Sequence, residues 1–346
     1  MTSNKSPYLP SIVDRLNSWI NRQQLPAWFT YLVLYLLFLL VNQSFSWLEQ
    51  TATIGQFELR KILTSIWPIM TLAIINYLDH LALTASKVFR TLVVDNDEDY
   101  SKKVFELTNM PARPIWILSV LGPILVILSY ALDLGIVKFA DRTTISLVAE
   151  LFRYGPGLAP LPIFVFHTIR QMTIVSQIQS DLGEIDLFQS TPLYAFSVLT
   201  SRTGIAWVIL LSTTVLFSLF SDSFGGLSPA SFIAFASTEV VLAVASFILP
   251  LLSLHAQMAK AKGLLIDEIN MHIKTSISRM GSELETLDPQ KASARRDLVE
   301  TLKAQQSYIN ALPTWPWKSD TLRGFLSVIF LPILITVVQQ LIERLF

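Results

Sequence analysis

Seven stretches of the chain are nearly free of charge and each is long enough to cross a bilayer, and no other feature constrains the fold as strongly. They run from Trp28 to Leu48, Ile62 to Ala85, Ile115 to Leu134, Pro156 to Val175, Ala195 to Phe220, Ser231 to His255 and Thr321 to Ile342. A helix of about 20 apolar residues spans a hydrocarbon layer about 30 Å thick and satisfies its own backbone hydrogen bonds, as lipid requires. The expected fold is all-α: a polytopic integral membrane protein of about seven transmembrane helices, with the lipid bilayer as its first partner. Composition agrees, since 52% of the 346 residues are apolar and 15% are charged, against about 25% charged in soluble chains. Equal numbers of basic and acidic residues, 26 each, exclude a basic nucleic-acid surface, so no nucleic-acid partner is expected. With no cysteine there is no disulfide framework, thiolate nucleophile or zinc–cysteine site.

Charge placement gives an orientation. Twenty of the 26 Lys and Arg fall in 1–27, 86–113, 170–202 and 256–323. The positive-inside rule puts those segments, and the N-terminus, in the cytoplasm. An odd number of crossings then puts the C-terminus outside. Ahead of the first span, Ile12, Val13, Leu16, Trp19 and Ile20 repeat at helical spacing with Asp14, Arg15, Asn17, Asn21 and Arg22 opposite, which predicts an interfacial helix lying flat. It lacks the apolar core and cleavage site of a signal peptide. Trp28, Trp116, Trp315 and Trp317 at inner boundaries and Trp47 at an outer one read as an aromatic belt. Thr143–Phe152 reads as a short apolar helix, interfacial or re-entrant, broken from the fourth span by Arg153-Tyr154-Gly155-Pro156-Gly157.

Four regions follow: 1–27, an N-terminus with its interfacial helix; 28–255, a bundle of spans one to six; 256–320, a cytoplasmic helical hairpin; and 321–346, the seventh span with a short outer end. In the third region Ile266, Ile269, Ile273, Ile277, Met280, Leu284 and Leu287 step by three or four. The sixth helix should therefore run on past a kink at Pro250 to about residue 287. Asp288 and Pro289 start a second helix with Leu298, Leu302, Ile309 and Leu312 on its apolar side. The pair either buries its stripes on itself or joins other subunits, or a cytoplasmic protein, through 256–320.

Ionisable groups inside a bilayer are costly and mark function or a buried pair. Counting about 1.5 Å per residue, Glu239 and His167 lie roughly 13 and 16 Å from the outer boundary, near mid-bilayer, as a candidate intramembrane polar site that could share a proton. Arg170, Arg202, Asp79 and His80 lie nearer the inner side, as snorkelling side chains or a cluster facing an anionic group. Gln339 and Gln340 are candidate pore-mouth residues. Acids at Asp95, Asp97, Asp99 and Glu106 have the spacing of a calcium loop, but Tyr100 stands where that loop needs glycine, so a solvated acidic loop is expected. No nucleotide, hydrolase or metalloprotease motif is present, so no catalytic residue, cofactor or metal is expected, nor an enzyme.

The layout resembles that of the insect odorant and gustatory receptor channels: seven helices, N-terminus inside, a sixth helix running into the cytoplasm, a further helix there and a last span. That resemblance implies subunits assembled as tetramers around a pore lined by the last helix. It is one of topology, because the family's last-helix signature is absent and the nearest stretch is Thr336-Val337-Val338-Gln339-Gln340. The expected function is an oligomeric channel or transport protein for a small ion or solute in the plasma (inner) membrane. The alternative is a membrane scaffold or sensor that binds a partner through its cytoplasmic hairpin.

Overall fold

The computed structural model describes residues 7–94, 96–133, 143–183, 185–219, 229–282 and 289–330. Among these the protein is all-helical: α1 (Ile12–Arg22), α2 (Ala27–Leu48), α3 (Leu59–Phe89), α4 (Asp97–Thr108), α5 (Ala112–Leu132), α6 (Thr144–Leu158), α7 (Pro160–Ser180), α8 (Ser190–Leu193), α9 (Ala195–Leu219), α10 (Pro229–Ile248), α11 (Leu252–Ser282) and α12 (Pro289–Ala311). A last helix, α13, occupies 319–330. Six helical stretches among the described residues are long and apolar enough to cross a membrane: Ala27–Leu48, Lys61–Leu92, Ala112–Leu132, Thr144–Ser180, Ser190–Thr213 and Ser237–Arg279. The seventh predicted span is helical as far as it is described. Its remainder, with Gln339 and Gln340, lies outside the described residues, as do Asp95 and the turn between α11 and α12.

The core lies among α3, α7, α9, α10 and α13. Ring contacts stitch it together: Phe89 on Phe196, Phe164 on Trp207 and Phe247 on Phe325, with centroids 4.8, 4.8 and 4.5 Å apart. Where α9 meets α10 and α13, Gly204 lets the backbones close up, since a Cβ there would sit 2.7 Å from the Ala243 carbonyl. By contrast α2 and α5 turn Leu36, Leu37, Leu40, Ile117, Ile124 and Leu128 outward. In water that surface would be a liability; against lipid it costs nothing. Polar contacts also join the helices, such as Asn42 Nδ2 donating to Ser65 Oγ at 3.1 Å between α2 and α3.

Several expectations are corrected. Residues 153–157 do not break the fourth crossing: α6 runs through them, and the discontinuity falls at Ala159. There Pro160 and Pro162 bring no N–H. Gly155 rests on Pro123 of α5, and between packed helices such Gly and Pro positions are tolerated. Arg153, read as an outer-loop charge, lies in α6 paired with the buried Glu150 one turn away. The acidic stretch from Asp97 to Asp99 is exposed as expected, but it is helix rather than loop. Asp97, Glu98 and Asp99 form the first turn of α4, where carboxylates meet the helix dipole, and Asp97 pairs with Arg90. Trp28 and Trp116 do stand exposed, but Trp315 stacks on His255 with centroids 3.9 Å apart and Trp317 stacks on Trp315. Aromatic packing at the foot of α11 claims both rings before any interface could. The kink expected at Pro250 is present, since α10 and α11 follow one another with a single 3₁₀ turn, Leu249–Leu251.

Candidate functional site

The polar residues that matter gather where α1 and α4 meet the middle of α3 and α7. The capping box of α1 uses Ser11 and Asp14: the Ser11 hydroxyl accepts from the Asp14 N–H, and Asp14 Oδ2 accepts from the Ser11 N–H at 3.0 Å. The same oxygen accepts from the Met110 N–H at 2.8 Å, so α1 is tied to the segment after α4. Asn17 Nδ2 reaches the Leu72 carbonyl, and Asn21 and Asn76 exchange hydrogen bonds, at 2.8 Å in one direction. The predicted facing of α1 is thus half reversed. Asp14 and Asn17 turn into the bundle with Val13 and Ile20, while Ile12 and Trp19 stay exposed. Unpaired N–H groups at the start of α1 and in the segment between α4 and α5 need acceptors, and Asp14 supplies one.

His167, on α7, does not meet Glu239. Its Nε2 lies 3.0 Å from Asp79 Oδ1 of α3, and with the ring proton on Nε2 the imidazole donates to the carboxylate. Gln171, one turn on, reaches the same oxygen at 3.5 Å. Glu239 accepts instead from the Ser212 hydroxyl of α9 at 2.6 Å. Both ionisable side chains are buried, at 3% and 1% exposure, but in separate places. The helical run that carries His167 begins at Thr144 rather than at Pro156, so the count from Pro156 sets His167 too near its start. One residue from each predicted set therefore forms the pair. Neither family models, nor curated proteins, nor solved structures match this chain.

Beside the pair, Arg170 Nη2 donates to Tyr8 Oη at 2.7 Å and lies 3.7 Å from Glu106 Oε2, and Tyr8 Oη donates to the Asn109 carbonyl. Burial pushes the Tyr8 phenol up to about 12, against the pull of the Arg170 guanidinium, so it remains a donor. Burial likewise raises the Asp14 carboxyl above its ordinary 3.8, opposed by the hydrogen bonds from Ser11 and Met110 and by the charge of His167. Of the remaining candidates, His80 is exposed and its Nδ1 lies 3.0 Å from the Asn76 carbonyl of its own helix, and Arg202 is exposed on α9. Among the described residues no group of three His or carboxylate side chains could hold a metal ion.

Asp14, Tyr8 and Gln171 were not legible as site residues. A signal existed for one of them: His167 and Gln171 stand four apart in one predicted span, which puts both on one face. For Asp14 the sequence offered only its place on an amphipathic helix, and that pointed to water.

Proposed function

We propose that the protein is a channel or transport protein of the plasma membrane for a small ion or solute, and that His167 and Asp79 handle a proton in that work. The observation that carries the reading is their 3.0 Å contact, buried between α3 and α7 beside the docked α1. Ionisable groups among membrane helices are costly and are kept where charge is bound or relayed. An imidazole beside a carboxylate can take up and pass on a proton while each group keeps a partner. The proposed topology has seven crossings, the N-terminus in the cytoplasm and the C-terminus outside, as the Lys and Arg bias supports. With it, α11 and α12 form a cytoplasmic hairpin, the subunits associate as a homo-oligomer, and the protein is no enzyme. Glu239, held by Ser212, is a second polar position on the path.

The test is proton uptake into liposomes carrying the purified protein and a trapped pH-sensitive dye. His167→Ala and Asp79→Asn are expected to reduce uptake to that of protein-free liposomes, and Glu239→Gln to slow it. Uptake unchanged in all three rejects the transport reading. A second reading, a scaffold or sensor, is favoured by the exposed Leu264, Met271 and Ile277 of α11 and Leu298 and Tyr308 of α12. It is upheld if those variants are silent while removal of 264–312 abolishes assembly.

A further inference from the structure

Three side-chain atoms beside the His167–Asp79 pair are buried without a hydrogen-bond partner among the described residues: His167 Nδ1, Asp14 Oδ1 and Gln171 Oε1. Each belongs to a residue at most 5% exposed. Their carriers are held together by the contacts around them. His167 and Gln171 share Asp79 Oδ1, Gln171 Nε2 also points at the Leu107 carbonyl 3.5 Å away, and three residues on the Met110 N–H is bound by Asp14. The charged and titratable groups around the imidazole are Asp79 from α3, Asp14 from α1, Glu106 from α4, Arg170 from α7 and Tyr8 from the segment before α1; His80 is turned outward. Arg170 is engaged by Tyr8 and Glu106. Asp79 takes the imidazole Nε2, and Asp14, whose Oδ2 is held by Ser11 and Met110, feels the same imidazole through its charge.

The donor count decides what this cluster can do. A neutral imidazole has one N–H, and Asp79 takes it, which leaves Nδ1 as a lone pair. Asp14 Oδ1, Gln171 Oε1 and Nδ1 are then three acceptors, and a water between them has two hydrogens. A protonated imidazole turns Nδ1 into a donor. The water then accepts from Nδ1–H and gives its hydrogens to Asp14 and Gln171, so each atom is satisfied and the cation faces both carboxylates.

We propose that this cluster is a proton-operated latch: a proton on His167 holds α1 onto the bundle through a bound water shared with Asp14 and Gln171, and its loss releases α1. The inference rests on the proton-handling reading of His167 and Asp79 and adds the part that moves. Released, α1 uncovers the pair; docked, it covers it.

Because the chain has no cysteine, single thiols report α1 directly. Ile20→Cys places one on the buried side of α1 and Ile12→Cys one on its exposed side, at 0% and 55% exposure in the native residues. The ratio of their maleimide labelling rates in the purified full-length protein removes the thiol's own pH dependence. Between about pH 5 and 8 that ratio is expected to rise as pH rises, by up to about tenfold per pH unit, the slope of one linked proton. His167→Gln removes the imidazole's titration, and Asp14→Asn offers an N–H that the neutral ring can accept, so both are expected to flatten it. A ratio that stays constant with pH in the otherwise native chain, or a slope in His167→Gln equal to that of the native chain, overturns the latch, since the Asp14 carboxyl alone leaves only part of the slope. That failure is separate from failure of the transport reading, which liposome uptake reports: lost uptake with a flat ratio leaves transport without a latch, and the converse leaves a latch without transport.

Discussion

Asp14 Oδ2 accepts from the Ser11 N–H, the Ser11 hydroxyl at 2.8 Å and the Met110 N–H, so one carboxylate oxygen both caps α1 and anchors it. Asp14→Ala removes an acceptor from buried donors, which costs about 1–3 kcal/mol for such a site. Thermal unfolding in detergent should show the loss. The pH dependence has a definite sign. Burial holds the Asp14 carboxyl above 3.8, so the fold favours its protonated form. The contribution to stability is complete below that value and falls as pH rises through the raised one. Unfolding followed from about pH 4 to about pH 8 should therefore show stability declining with pH, and Asp14→Asn should lessen the decline. His167 was legible in the sequence because an imidazole in an apolar span stands out. Asp79 stood out too, but not as its partner, because the two are 88 residues apart and only the packing of α7 against α3 matches their heights.

Among the helices, length and apolarity proved readable, as did the kink at Pro250, but the break ahead of the fourth span did not. Pro156 and the glycines around it look like a loop in sequence, yet α6 runs through them because Pro123 of α5 fills the space beside Gly155. The seam of α9, α10 and α13 shows the same dependence on neighbours. A Cβ at Gly204 would fall 2.6 Å from Phe325 Cε2 and 2.7 Å from the Ala243 carbonyl. The ring can turn aside and the backbone oxygen cannot. Gly204→Val should therefore push α9 off α10 and destabilise the protein by about 1–3 kcal/mol, the usual cost of overpacking. Limited proteolysis of α13 would show the seam opening, and an unchanged digest would argue that the helices yield easily there.

For the molecule as a whole, an outward-facing apolar α2 and α5 around a core of α3, α7, α9 and α10 describes a chain built for lipid. Beyond that bundle α11 and α12 lie against one another, with Gln306 Nε2 donating to Asn270 Oδ1 at 2.7 Å and Lys262 Nζ donating to the Asn310 and Leu312 carbonyls, each at 2.8 Å. Two paired helices bury little surface alone. If subunits meet through this arm, removal of 264–312 should reduce the sedimenting species in detergent to a monomer while the spans stay folded. An unchanged assembly would place the contact among the membrane helices.

The sequence by itself determined the solvent and the architecture, because hydropathy acts locally: a run of about 20 apolar residues must cross lipid as a helix wherever its neighbours lie. It determined too that a few ionisable groups would be buried there. Only the tertiary structure decided which of them meet. It joined His167 to Asp79 and Glu239 to Ser212, and it turned Asp14 inward. Those choices depend on how far each helix is shifted along its axis against the next, a quantity fixed by packing between residues far apart in the chain and carried by no single segment.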